Sequence, residues 1–208
     1  MGLKKQKETK PVEQDERKRS RDLEGLVAQL ADPNPLTRRW AARDLLQYGE
    51  DASKILAEQL FKEPDKSVRE VILTSMAHIG DPVTVEALIR CLRSEDAMLR
   101  NEAIQVLKNL PDAVAPIMDS LLKDADSDVR IFAVDILESL RHPQVVHWLI
   151  DIIETDPNVN VCATAVDLLG EVGTEEAIPA LLRLKERFPQ EPYILFAVDL
   201  SVKRIRGG

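Results

Sequence analysis

The sequence is poor in the residues that usually build reactive centres. Aromatics make up 4% of the 208 residues, with two Trp, two Tyr and four Phe. This excludes an interior built around large rings, so Leu, Ala, Val and Ile must fill it in thin layers. Only two cysteines occur, Cys91 and Cys162, and neither has a CxxC companion. Both are expected to be small buried apolar side chains in a reducing cytosol. The three histidines, His78, His142 and His147, are scattered, whereas metal ligation needs several donors converging on one point. No Ser/His/Asp or Cys/His constellation is readable, and glycines fall at helix ends rather than in a phosphate-binding loop. No run of eighteen apolar residues exists and the N-terminus lacks an apolar stretch, so neither export nor membrane spanning is expected. Met1-Gly2 opens like a myristoylation signal, but Gln6 stands where Ser or Thr is required.

Charge is plentiful but uneven. The chain carries a net charge of −8, while residues 1–21 hold eight Lys/Arg against four Asp/Glu. The body is therefore acidic, which argues against a general nucleic-acid binder, because phosphate contact needs a basic stripe. Residues 1–20 contain almost no apolar side chains and are expected to form a disordered, solubilising basic tail.

What the sequence does have is a period. Asn34, Asp65, Asp96, Asp126 and Asn158 recur at spacings of 31, 31, 30 and 32 residues, and Arg38, Arg69, Arg100 and Arg130 follow four residues later, with Cys162 in the fifth copy. Such a period signals a repeat architecture. Each Asp or Asn reads as the N-cap of a helix, and Gly80 as a stop. Relative to the Arg column, offsets 0, 3, 4 and 7 carry Ala, Ile, Val, Leu or Met and share one helix face. A preceding apolar-periodic segment in each copy supplies an A helix before this B helix. Stacking the pairs would bury a continuous core that no single pair can bury. The expectation is an all-α chain, an α-solenoid of about six helix pairs at 21–49, 50–80, 81–111, 112–141, 142–173 and 174–206. Pro116 and Pro179, in one A-helix column, are expected to bend their helices slightly.

The D-x-x-V-R columns, the Gly before the next A helix and Ile178-Pro179-Ala180-Leu181-Leu182 resemble HEAT repeats, nearest the short bacterial type first associated with phycobilisome lyases. The resemblance spans about residues 21–206. It implies a right-handed superhelix, and a structural ladder of Asp65, Arg69, Asp96, Arg100, Asp126 and Arg130 between adjacent repeats. The ladder is expected to lapse at Cys162, and Gln190 and Ile194 in the sixth copy suit a terminal cap.

The resemblance also implies that the B helices line the concave side. Offsets 2, 5 and 9 would then form the binding ridge, with Arg39, Trp40, Arg43, Val71, Thr74, His78, Gln105, Phe132, Asp135 and Asp167 as candidate partner-binding residues. Trp40 and Phe132 are rings at positions expected to be exposed, of the kind enriched at interface hot spots. The ridge reads as polarised, with Arg38, Arg39 and Arg43 at one end and Asp135, Glu138, Asp167, Glu171 and Asp199 at the other, an arrangement that would orient a polar partner.

Enzymes on this fold can be checked residue by residue. HEAT-like deoxyhypusine hydroxylase uses paired His-Glu motifs, but none of the three histidines here precedes Glu. Alkylpurine DNA glycosylases need a basic concave face, which the acidic half opposes. A bilin lyase-like protein would need apolar room and basic partners for propionates, which Trp40 and the Arg cluster could offer. The expected function is a non-catalytic scaffold or adaptor of a cytoplasmic bacterial complex, signalling or assembly, binding a protein partner as a monomer or weak oligomer. No cofactor, metal or membrane role is expected.

Overall fold

The computed structural model describes residues 20–207; the expected basic tail lies almost wholly outside the described residues. Six helix pairs follow one another. The A helices are α1 (Leu23–Gln29), α3 (Glu50–Leu60), α5 (Pro82–Cys91), the broken helix α7–α8 (Pro111–Val114 and Met118–Leu121), α10 (Val145–Thr155) and α12 (Ile178–Arg187). The B helices are α2 (Pro35–Asp44), α4 (Lys66–Ile79), α6 (Ala97–Lys108), α9 (Ser127–Leu137), α11 (Val159–Val172) and α13 (Pro192–Gly207). Each B helix packs on the next along the stack, and no strand occurs among the described residues. This is an α-solenoid.

The period arises from a short loop that caps itself twice. Side-chain oxygens of Asn34, Asp65, Asp96, Asp126 and Asn158 accept hydrogen bonds from first-turn amides of α2, α4, α6, α9 and α11. Two residues earlier, Asp32, Glu63, Ser94, Asp124 and Asp156 accept the N–H of that N-cap residue, at 2.8, 3.0, 3.2, 3.0 and 2.8 Å. The first bond satisfies an otherwise unpaired helix-end donor and contributes about 1 kcal/mol; the second fixes the chain entering the cap. At the other end of α4, Gly80 takes φ 61° and ends the helix in the left-handed conformation that a Cβ disfavours.

The seam residues are where the periodicity places them. Ala41, Ala42, Ile72, Leu73, Ala103, Ile104, Ala133, Val134, Ala165, Val166, Ala197 and Val198 are all buried, as are Leu45, Met76, Leu107, Leu137 and Leu169. Alanine at the tight crossings brings neighbouring B helices together. Two buried hydroxyls join them further: Ser75 donates to the Ala42 carbonyl and Ser201 to that of Val166, both at 3.0 Å.

The prolines do more than bend. Pro116 breaks the fourth A helix into two four-residue pieces around a 3₁₀ turn, Ala115–Ile117. It has no N–H to offer the ladder, and its ring presses on the preceding turn. Pro179 stands at the start of α12, after a 3₁₀ turn at Glu175–Ala177, where a missing N–H is tolerated.

The ladder is present, but its rungs differ from the expected Asp–Arg set. Arg38 grips Glu63 with two bonds at 2.9 and 2.7 Å, and Arg130 grips Asp156 with two at 2.6 and 3.0 Å. The acidic partner in both is the residue two before the N-cap, and both guanidinium groups also donate to the carbonyl six residues back in their own loop. In the third copy that position is Ser94, which has no charge, so Arg69 reaches the N-cap Asp96 instead, at 2.7 Å. Arg100 donates to the Ser94 carbonyl, and Arg93, in the turn after α5, pairs with Asp124 instead. Asp65 and Asp126 act as caps rather than rungs. At Cys162 the ladder lapses: its Sγ lies 3.4 Å from the Asp156 carbonyl, and Arg187 reaches back from the sixth pair to that same oxygen at 2.7 Å.

Candidate partner-binding face

The B-helix ridge carries two neighbouring clefts, one on each flank of α4. The smaller, about 180 Å³, lies between α2 and α4 and is lined by Leu36, Arg39, Trp40, Arg43 and Val71. The larger, about 700 Å³, lies between α4 and α6, with Leu73, Ala77, Met98 and Val106 as apolar lining and Glu70, Thr74, Asn101, Glu102, Gln105 and Asn109 around them. Ala77 near the end of α4 and Ala97 at the start of α6 are small residues in its lining.

Six of the ten candidate residues line these clefts: Arg39, Trp40, Arg43 and Val71 the first, Thr74 and Gln105 the second. Trp40 is 37% exposed, and the Arg43 guanidinium lies 4.0 Å from its ring centroid, a cation–π contact that fixes the indole in place. Arg43 also pairs with Asp44 at 3.0 Å, whereas Arg39 beside it is exposed and has no ion-pair partner among the described residues. Leu36, 52% exposed, and Met98, 43% exposed, add apolar surface that the ridge pattern did not include.

The other four lie elsewhere. His78 is exposed at the end of α4, its Nδ1 2.8 Å from the Thr74 carbonyl. Phe132, expected to be exposed, is half-buried and packs against the core, as Val71 and Glu102 at the same column are half-buried too. The acidic end of the ridge is largely neutralised. Lys108 Nζ lies 2.8 Å from both Asp135 and Glu138. Burial alone would pull this ammonium down, but its two carboxylate bonds outweigh that and hold it above the ordinary lysine range. Asp167 accepts a 2.6 Å bond from the Tyr193 hydroxyl, and Lys185 pairs with Asp199 at 2.8 Å.

The unpaired acid is nearer the middle. Glu102 Oε2 is buried and has no hydrogen-bond partner among the described residues. Burial raises its carboxyl above the ordinary value, and the nearby Arg69 and Lys66 charges only partly offset this. Among the described residues no group of three or more His, Cys, Asp or Glu gathers as a metal site, and no helix is long and apolar enough to cross a membrane.

Stacked helix pairs with self-capping loops and a guanidinium–carboxylate ladder define a helical repeat protein. The chain belongs to the HEAT-repeat family, matched over residues 23–108 and 114–190. No curated protein matches it. Similar solved structures include human deoxyhypusine hydroxylase, 16% identical over 89% of this chain and 84% of that one, with a TM-score of 0.46. The CpcE–CpcF complex of phycocyanin lyase from Nostoc is 20% identical over 87% and 94%, with a TM-score of 0.37. A designed armadillo repeat protein in complex with a (KR)4 peptide is 17% identical over 86% and 98%, with a TM-score of 0.43. At these identities the likeness concerns the fold alone.

Proposed function

We propose that this protein is a non-catalytic scaffold or adaptor that binds a protein partner on its B-helix face, over α2, α4 and α6. Membership of the HEAT-repeat family supports a protein-interaction role in general. The observation that carries the site is the exposed, guanidinium-stacked Trp40 beside two apolar clefts on consecutive helices. A rigid aromatic next to a recess is the usual form of an interface anchor. The buried, unpaired cysteines and the bacterial repeat type it resembles support a place in a cytoplasmic bacterial complex of the signalling or assembly kind.

The bilin reading fares less well against this geometry. The 700 Å³ cleft between α4 and α6 is rimmed by Glu70 and Glu102, which would face the pigment's propionates with like charge. Affinity capture from a bacterial lysate tests the scaffold reading, with wild type beside Trp40→Ala and the cleft-filling Ala97→Trp. A protein captured by wild type and lost from both variants, then bound directly when purified, supports it. Equal capture by all three overturns the site.

A further inference from the structure

The two clefts carry opposite charge, and together they specify the chemistry of what they hold. This inference rests on the protein-binding reading above. On the α2–α4 side the available charge is positive: Arg39 is exposed without an ion-pair partner among the described residues, whereas Arg43, over Trp40, already pairs with Asp44. On the α4–α6 side it is negative: Glu70 is exposed, and Glu102 lines the recess with one carboxylate oxygen buried and unpaired, its charge only partly offset by Lys66 and Arg69 nearby. Elsewhere on the ridge most acids are engaged, Asp135 and Glu138 by Lys108, Asp167 by Tyr193 and Asp199 by Lys185, with Glu171 exposed far from either cleft on α11. A buried carboxylate oxygen without a donor is costly, and an incoming ammonium or guanidinium would relieve that cost.

We propose that the clefts take one amphipathic polypeptide segment of a partner, with a carboxylate against Arg39, apolar side chains over Trp40 and Met98, and a lysine or arginine against Glu70 and Glu102. Packed helices lie about 8–10 Å apart. Arg39 on α2 and Glu102 on α6 stand two such spacings apart, with Glu70 on α4 between them. The two charges of the segment are therefore separated by about 12–15 Å, roughly two to three turns of helix or about four residues of extended chain. The opposed charges fix which way the segment lies across α4, since reversing it would set like charges together.

Selection from a library of random displayed peptides tests this directly, using the full chain as wild type, Glu70→Gln/Glu102→Gln and Arg39→Gln. Wild type is expected to enrich peptides with both a carboxylate and a cation at that separation, flanking apolar residues. The double glutamine variant is expected to lose the cation preference and bind the wild-type peptides at least tenfold more weakly; Arg39→Gln is expected to lose the carboxylate preference alone. Enrichment of apolar peptides without a charge pattern, displaced by Ala97→Trp, overturns the proposal while leaving the scaffold reading intact. Failure to enrich any peptide overturns it too, and lysate capture then decides the scaffold reading separately. A dimer in sedimentation that disperses on Trp40→Ala assigns the clefts to a second copy and likewise overturns it.

Discussion

Arg130 and Asp156 are joined by two hydrogen bonds, Nε and Nη2 of the guanidinium donating to the two carboxylate oxygens at 2.6 and 3.0 Å across the boundary between the fourth and fifth helix pairs. Both side chains are nearly enclosed, at 12% and 6% exposure. Asp156 also accepts the Asn158 amide at 2.8 Å, so one carboxylate holds the loop and the neighbouring repeat. Removing it would leave a guanidinium largely buried without its partner. Asp156→Ala is expected to destabilise the protein by about 3 kcal/mol, the lower end for breaking a buried pair. Denaturant unfolding measures this; a loss below about 1 kcal/mol would contradict the ladder as drawn.

The same loops make stability depend on acid. Burial pushes the Glu63 carboxyl up, but bonds from Arg38, Gln59 and the Asp65 amide outweigh it and hold it below its ordinary 4.5. Asp65 and Asp96 are likewise held below 3.8, by the Ser67 hydroxyl and by Arg69 respectively in the first place. A carboxyl lowered on folding stabilises above its unfolded value, and that contribution is lost as pH falls through the folded one. The thermal midpoint is therefore expected to hold down to about pH 4.5 and to fall steadily below 3.8. Glu63→Gln should lower stability at neutral pH by about 1–3 kcal/mol and flatten that acid slope. Parallel slopes in the two proteins would exclude Glu63 as a contributor.

How much of this was legible in the sequence depends on what a column of residues can encode. The 31-residue recurrence of Asp or Asn gave the helix pairs and the caps of the first five B helices, because an N-cap is a local bond within three residues. Arg69–Asp96 is an expected rung, while the partners of Arg38 and Arg130 are not the expected Asp column, because Asp32-Pro33-Asn34 and its later copies offer two acceptors per loop. Spacing does not say which of them faces the neighbouring repeat; the depth of the loop does. The exposure of Trp40, Thr74 and Gln105 follows from helical periodicity, and the half-burial of Phe132 does not, since it comes from contacts with the core that one helix's pattern does not record. The pairing of Lys108 with Asp135 and Glu138 crosses from one B helix to the next, and no single-helix pattern records it.

Both thiols are expected to be inert in the folded protein. Burial pushes Cys91 up to about 12 and Cys162 to about 11, from an ordinary value of 9.0. Because the thiolate is the reactive form, alkylation by iodoacetamide near pH 8 should label neither residue until denaturant is added, and then both. A thiol raised on folding also favours the folded state less as pH climbs from 9.0 towards 11, so stability should decline across that window. Rapid labelling of the native protein would show that the seam opens there.

Phe132 and Trp40 should separate stability from binding. Phe132 packs on the core, so Phe132→Ala is expected to lose about 2 kcal/mol of stability while leaving partner capture intact. Trp40→Ala should lose capture with a change in stability within about 0.5 kcal/mol, as for other surface positions. The reverse outcome would move the binding site along the stack to α9.

Site-specific photo-crosslinking tests the binding face most directly. A photoreactive residue is placed in turn at Trp40, Thr74 and Gln105, around the two clefts, and at Val83, exposed on an A helix. The account expects one partner protein to be crosslinked from the three B-helix positions and not from Val83. Crosslinking from Val83 alone, or to unrelated proteins from each cleft position, would contradict it.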